Sequence, residues 1–238
     1  FTIGLGAKDR VMNVLDESDL ILTLGFDMVE YPPDLWNSER KHKIIHADFL
    51  PAEIDSHYHP DIELVGDLAS SLSELTNRLS VLPPLTFCRN AQEICRKEMI
   101  GDFEEHKDDD SVGKIRPQKV LWEVRQSMGP SDILLSDVGA HKMWIARHYQ
   151  CHEPNTCLIS NGFCSMGFSL PGAISASLVL KDKRILGIAG DAGFMMNVQE
   201  METARRLNCN IVMMVWEDKS YGLIEWKQNE SFGRHTDL

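Results

Sequence analysis

Gly190-Asp191-Ala192-Gly193-Phe194 and, further on, Trp216-Glu217-Asp218-Lys219-Ser220-Tyr221-Gly222 bracket the stretch whose reading decides the fold. The first follows the apolar run Arg184-Ile185-Leu186-Gly187-Ile188-Ala189, and the second ends Asn210-Ile211-Val212-Met213-Met214-Val215-Trp216. Apolar residues in these runs do not alternate with polar ones, as expected of parallel strands buried on both faces. Between them Asn197-Val198-Gln199-Glu200 has the form of an N-cap and capping box, with Met201, Ala204 and Leu207 following at helical spacing. The unit reads strand, loop, helix, strand. A right-handed crossover puts Asp191 and Asp218 on one sheet edge, where the ligands of open α/β sheets bind. Two carboxylates on one rim suit Mg2+, which joins one or two of them to phosphate oxygens and water at about 2.1 Å. Backbone N–H groups of Ala192 and Gly193 at a helix start suit the phosphate. Two aspartates that merely terminate strands are the plainer reading of the same spacing.

The pattern recurs upstream. Pro117 is a suitable first helical residue, with Val120, Leu121, Val124 and Met128 on one face. Asp132-Ile133-Leu134-Leu135-Ser136-Asp137 is a further buried-strand candidate, and Val138-Gly139-Ala140-His141 a small-residue turn that opens a helix. Free N–H groups and an imidazole donor there suit a phosphate oxygen, although a lone histidine so placed is more often a surface or capping residue. Thr156–Ser160 reads as a strand, 161–167 as the turn after it, and 168–176 as a helix whose small residues permit close packing on the sheet. Four strands thus each deliver a glycine-containing loop to one edge, and that convergence predicts a single cofactor crevice.

Toward the start, Leu20–Gly25, Lys43–Asp48 and Ile62–Asp67 read as strands, the last leading into Leu68, Leu72, Leu75 and Leu79 at helical spacing. The expected fold class is α/β with two Rossmann-like parallel-sheet domains. One covers residues 1–80; a connector at 81–116 carries Pro83-Pro84, an amphipathic stretch from Asn90 to Met99 and the acidic run Asp108-Asp109-Asp110, expected to be a solvated loop; the second domain covers 117–238. Gly25-Phe26-Asp27 and His46-Ala47-Asp48 end strands and could touch a nucleotide, though turn formers look the same. His57 and His59 beside Pro60 lack a third ligand and read as surface histidines.

Gly190-Asp191-Ala192-Gly193 followed by Asp218-Lys219-Ser220-Tyr221-Gly222 resembles the cofactor motif of the acetolactate synthase family of thiamine-diphosphate-dependent enzymes. So do Met195–Ala204, Ile224-Glu225-Trp226-Lys227-Gln228, and, in the first domain, Asp48–Asp55 and Val65-Gly66-Asp67. The resemblance spans nearly the whole chain. It implies thiamine diphosphate and Mg2+ as cofactors, the metal on Asp191, Asp218 and the Ser220 carbonyl. It further implies that Gly139, Ala140 and His141, then Gly162, Ser165 and Met166, then Gly190, Asp191, Ala192 and Gly193, and finally Ser220, Tyr221, Gly222, Leu223 and Ile224 surround the cofactor. Met166, on its own a gap-filling core methionine, corresponds in the family to the apolar wedge that bends the cofactor. Ala192 departs from the usual glycine: at positive φ it would cost on the order of 1 kcal/mol, and its methyl would crowd the diphosphate. The first domain binds FAD in some family members, and nothing in these residues supports FAD here. The family takes its activating glutamate from a separate N-terminal domain, usually of a neighbouring subunit, so no catalytic residue is assignable in this chain, and the stretch alone should turn over little or nothing.

The implied reaction is decarboxylation of pyruvate and carboligation to a second 2-oxo acid, in a homodimer or homotetramer. Other 2-oxo acid decarboxylases, oxidases and carboligases share the fold, and a non-catalytic nucleotide-binding homologue is the alternative that Ala192 favours. A formal charge of −12 argues against a nucleic-acid or anionic-membrane partner. The six cysteines lack C-x-x-C spacing, which favours free thiols in a reducing cytoplasm over a disulfide scaffold or zinc site. No apolar run is long enough to span a bilayer, and a start at Phe1 suggests an internal slice of a longer polypeptide.

Overall fold

The computed structural model describes residues 10–29, 31–83, 89–109, 113 and 115–236. The chain divides into two compact units, Thr2–Met99 and Ile100–Leu238. The first contains α1 (Met12–Asp16), β1 (Leu20–Leu24), α2 (Pro33–Trp36), β2 (Lys43–Asp48), β3 (Ile62–Val65) and α3 (Leu68–Ser80). Its strands are parallel in the order β1-β2-β3. Met12, Trp36, Ile44 and Tyr58 form the core on one side, where the Tyr58 hydroxyl lies 2.6 Å from Thr23 Oγ1 and 2.8 Å from His46 Nδ1. Tyr58 thus buries its ring without orphaning its polar tip. Asp67 caps α3, its carboxylate accepting the Ser70 N–H at 2.8 Å. The leucine stripe read from the sequence is on that helix, yet no α3 residue is buried.

The unit boundary falls within α4 (Asn90–His106). Cys95 and Met99 pack with Val11 in the first unit, and Phe103 belongs to a core of the second. Asp109, read as part of a solvated acidic run, accepts from Arg116 Nε at 2.6 Å; Asp110, like Phe1 and Pro84, lies outside the described residues. His57 pairs with Ser56 and Asp55, and no group of three or more potential metal ligands occurs among the described residues.

The second unit continues with α5 (Pro117–Ser127), β4 (Ile133–Ser136), α6 (Ala140–His148), β5 (Cys157–Ile159), α7 (Ser169–Val179), β6 (Ile185–Gly190), α8 (Asp191–Met196), α9 (Glu200–Arg206), β7 (Ile211–Trp216) and α10 (Gly222–Phe232). Its four strands are parallel in the order β5-β4-β6-β7. Alternation along β4 sends Leu134 into a core with Leu121, Ile145 and Ile188, while Ile133 and Leu135 meet Ala173 and Ile185 on the other face. α7 approaches the sheet closely because its residues are small. A Cβ on Gly172 would stand 2.8 Å from Leu135 Cδ2.

One local reading is corrected. The chain is already helical from Asp191, so Asn197 ends α8 and does not cap α9. Gln199 occupies the cap position of α9 with no side-chain bond, and Asn197 Nδ2 donates instead to the Gly167 carbonyl at 2.9 Å. The crossover is strand, helix, helix, strand.

Candidate cofactor site

The strand order fixes where a ligand can enter. From β4 the chain passes to β5 on one side, and from β6 it passes to β7 on the other, so the loops at the carboxyl ends of β4 and β6 diverge and leave a crevice between them. A cavity of about 990 Å³ lies there. Gly139, Ala140 and His141 line it from the loop after β4. Gly190, Asp191, Ala192 and Gly193 line it from the loop after β6, and Asp218 with Ser220, Tyr221, Gly222, Leu223 and Ile224 from the loop after β7. Met166 reaches it from the turn after β5, whereas Gly162 and Ser165 of that turn are not in its lining and are solvent-exposed.

α6 begins at this crevice. Gly139 takes φ +151°, where a side chain is rarely accommodated, and a Cβ there would stand 2.9 Å from His141 Cε1. The first N–H groups of a helix have no intrahelical partners and favour an anion. His141 is 4% exposed. Burial lowers its pKa, against the opposing pull of the Asp137 carboxylate and main chain; the ring is therefore neutral at pH 7. Among the described residues its Nε2 has no hydrogen-bond partner, so a buried polar atom of a residue that lines the cavity waits for one. Trp216 Nε1, a donor only, is also buried without a partner, and its ring lies 6.3 Å from that of His141.

The acidic side is preassembled. Asp191 Oδ2 accepts the Lys219 N–H at 2.9 Å, which ties the loop after β7 to the start of α8, and Asp218 Oδ1 accepts the Ser220 N–H at 3.3 Å. A Cβ on Gly222 would collide with Asp218 Oδ2, so a glycine is required while that carboxylate keeps its place. The sequence reading offered the Ala192 N–H to a phosphate; it is instead taken by Asp191 Oδ1 at 2.7 Å. Nor does Ala192 carry the backbone penalty considered for it. It lies inside α8 and is absent from the residues with positive φ.

Asp137 is the residue the motifs passed over. It is fully buried. Oδ1 accepts the N–H groups of Val138 at 2.7 Å and Gly167 at 2.9 Å, and Oδ2 accepts that of Ser169 at 3.0 Å. A Cβ on Gly193 would stand 3.2 Å from Oδ1. One carboxylate thereby binds the end of β4 to the turn carrying Met166 and meets the start of α8. Its signal in the sequence was only its place after a buried strand.

Comparison with known families agrees with this geometry. Residues 137–237 match the C-terminal TPP binding domain of thiamine pyrophosphate enzymes, and residues 2–75 match the central domain of the same enzymes. The chain thus carries the central and the C-terminal TPP binding domains of thiamine pyrophosphate enzymes. It is similar to the acetolactate synthase of Bacillus subtilis, at 33% identity over 234 residues, 98% of this chain and 40% of that protein. It is also similar to the catabolic acetolactate synthase of Raoultella terrigena, at 33% identity over 98% of this chain and 41% of that protein. A probable acetolactate synthase large subunit of Methanococcus aeolicus is 30% identical, over 98% and 41% respectively. The chain thus spans about two-fifths of the length of these relatives.

The residues present fit thiamine diphosphate and its metal. The cavity supplies an imidazole nitrogen unpaired among the described residues, a helix start, and two carboxylates on separate loops, the one at Asp218 closed by a required glycine. Mg2+ characteristically takes one or two protein carboxylates and completes its shell with phosphate and water, which is what Asp191 and Asp218 offer.

Proposed function

We propose that this chain forms the central and cofactor-binding part of an acetolactate synthase-like enzyme, which decarboxylates pyruvate and joins the two-carbon remainder to a second 2-oxo acid. The observation that carries this reading is the convergence of the Gly139–His141, Asp191–Gly193 and Asp218–Ile224 loops on one crevice of a chain similar to acetolactate synthases. Thiamine diphosphate, when bound, supplies a nucleophilic carbon and an electron sink for the bond broken in decarboxylation.

The chain's own residues would bind and orient it. Asp191 and Asp218, with the Ser220 carbonyl, hold Mg2+. The start of α6 and His141 Nε2 hold diphosphate oxygens. An anion at Nε2 favours the protonated ring, with Nδ1 on the Asp137 carbonyl and Nε2 donating. Met166 presses on the cofactor from the turn after β5, and Asp137 sets that turn. We place the protein in the cytoplasm as a homodimer or homotetramer. The acidic surface and free cysteines support the former assignment, and among the described residues no helix is long and apolar enough to cross a membrane.

The test is calorimetric titration of thiamine diphosphate into the full-length protein, with Mg2+ and with chelator, followed by assay for acetolactate from pyruvate. Metal-dependent binding with acetolactate formed is expected, and Asp218→Ala should weaken binding by ~100-fold or more. Binding without acetolactate would move the reaction to another 2-oxo acid. Unchanged affinity in Asp218→Ala would remove that residue from the site.

A further inference from the structure

Met166, in the turn after β5, owes its place to what holds its neighbour. Gly167 follows it directly, is buried and takes φ +84°. Both polar groups of its backbone are bonded to side chains from other elements. Its N–H donates to Asp137 Oδ1 at 2.9 Å, and its carbonyl accepts from Asn197 Nδ2 at 2.9 Å. A Cβ on Gly167 would stand 2.5 Å from that amide nitrogen and 3.2 Å from Met196 Cβ, so the end of α8 rests directly on the turn.

The Asn197 amide is itself oriented. Its Oδ1 accepts from Gln199 Nε2 at 3.3 Å, and the reverse orientation would set its oxygen against the Gly167 carbonyl oxygen, two acceptors with no proton between them. Its backbone is tied at the junction of two helices. The Asn197 N–H donates to the Phe194 carbonyl at 3.4 Å, and the Glu200 N–H donates to the Asn197 carbonyl at 3.0 Å. A buried amide-to-carbonyl bond adds little net stability, because it replaces bonds to water. Its value here is directional: it fixes where the Gly167 carbonyl stands, and with it the residue before.

α8 carries this contact to the metal side of the crevice. Its six residues span about 9 Å and begin at Asp191, whose Oδ2 holds the Lys219 N–H of the loop after β7. Along the way a Cβ on Gly193 would meet Asp137 Oδ1 at 3.2 Å. The end of β4, the turn after β5 and α8 therefore form a closed ring of contacts, which Asn197 completes. We propose that Asn197 is a positioning residue. It sets the Met166 turn against α8, so that the Met166 side chain meets the organic part of the cofactor when Asp191 and Asp218 hold the metal on its diphosphate. This rests on the reading of Met166, Asp191 and Asp218 as cofactor and metal contacts. Asn197 is not among the residues that line the cavity, and it acts through Gly167.

Titration of the full-length protein with thiamine diphosphate and, separately, with inorganic pyrophosphate, both with Mg2+, tests this. Pyrophosphate reads the metal and helix contacts alone, and thiamine diphosphate adds the contact at Met166. Asn197→Ala should lower affinity for thiamine diphosphate about five- to tenfold and leave that for pyrophosphate unchanged. Asn197→Asp keeps the shape and the bond from Gln199, but its carboxylate has no proton for the Gly167 carbonyl. The added charge weighs on both ligands, so the ratio of the two affinities should fall as it does in Asn197→Ala. Met166→Ala should lower the same ratio, and adding Asn197→Ala to it should lower it no further. Equal losses for both ligands would make Asn197 a general support of the fold and overturn the proposal. Independent losses from Met166→Ala and Asn197→Ala, or an unchanged ratio in both Asn197 variants, would overturn it too. An unmutated protein that binds no thiamine diphosphate would overturn the cofactor reading, and the role of Asn197 with it, so the two failures are told apart.

Discussion

Every residue of β4 from Ile133 to Ser136 is buried, whereas Leu20, Leu22 and Leu24 of β1 are 40 to 50% exposed, on either side of the buried Thr23. Both strands are short apolar runs in parallel sheets. β4 lies between two strands and between the α5–α6 layer and α7; β1 is an edge strand with a core on one face within its own unit. The difference teaches where a precise site can be built. A loop leaving a strand packed on both faces inherits a fixed starting point, and burial continues past the strand end through Ser136 and Asp137, both fully buried. The loops after β4 and β6 leave such a base.

The largest expected effect lies at Asp137. Asp137→Ala would leave three main-chain N–H groups without their acceptor, at a cost of about 3 kcal/mol or more. Urea unfolding would measure this, and Asp137→Asn, which retains one acceptor oxygen, should fall between the two. A stability loss below about 1 kcal/mol for the alanine variant would mean that the buried carboxylate does not hold the loops. Next come paired leucines. Leu135→Ala in the fully packed sheet should cost about 3 kcal/mol, while Leu22→Ala on the open face of β1 should stay within about 0.5 kcal/mol. Equal losses would erase the contrast between the two sheets. The smallest effect is at Ala192. In Ala192→Gly, removing a methyl that lines the cavity should strengthen cofactor binding a few-fold, while glycine inside α8 lowers stability by about 0.5–1 kcal/mol. Unchanged affinity would show that the methyl does not crowd the diphosphate.

Much of this was legible in sequence because the signals are local. Continuous apolar runs marked β4, β6 and β7, and small residues after them marked the loops that line the cavity. What was not legible depends on long-range packing. Ala192 raised concern because glycine there suggested positive φ, but the backbone of α8 is right-handed. Asn197 has the composition of a cap, yet its amide finds the Gly167 carbonyl across the sheet edge. Gly162 and Ser165 belong to the same turn as Met166, and only the turn's conformation decides which of them faces the cavity; Gly162, Cys164 and Gly167 all take positive φ there. Trp216 reads as the last residue of an apolar strand, and nothing local says that it lines the cavity or that its indole N–H has no partner among the described residues.

The strand order also has a consequence for synthesis. β4 and β5 leave the ribosome first and can pair, but the other edge of β4 belongs to β6, which is made only after α7. Until Ile185 meets Ile133, a nascent chain carries an apolar strand with one unpaired edge, the kind of surface that invites association with other chains. The cavity wall formed by β7 comes later still. Assembly of the crevice therefore waits for β7, and a chaperone that shields the β4 edge would act before any cofactor could.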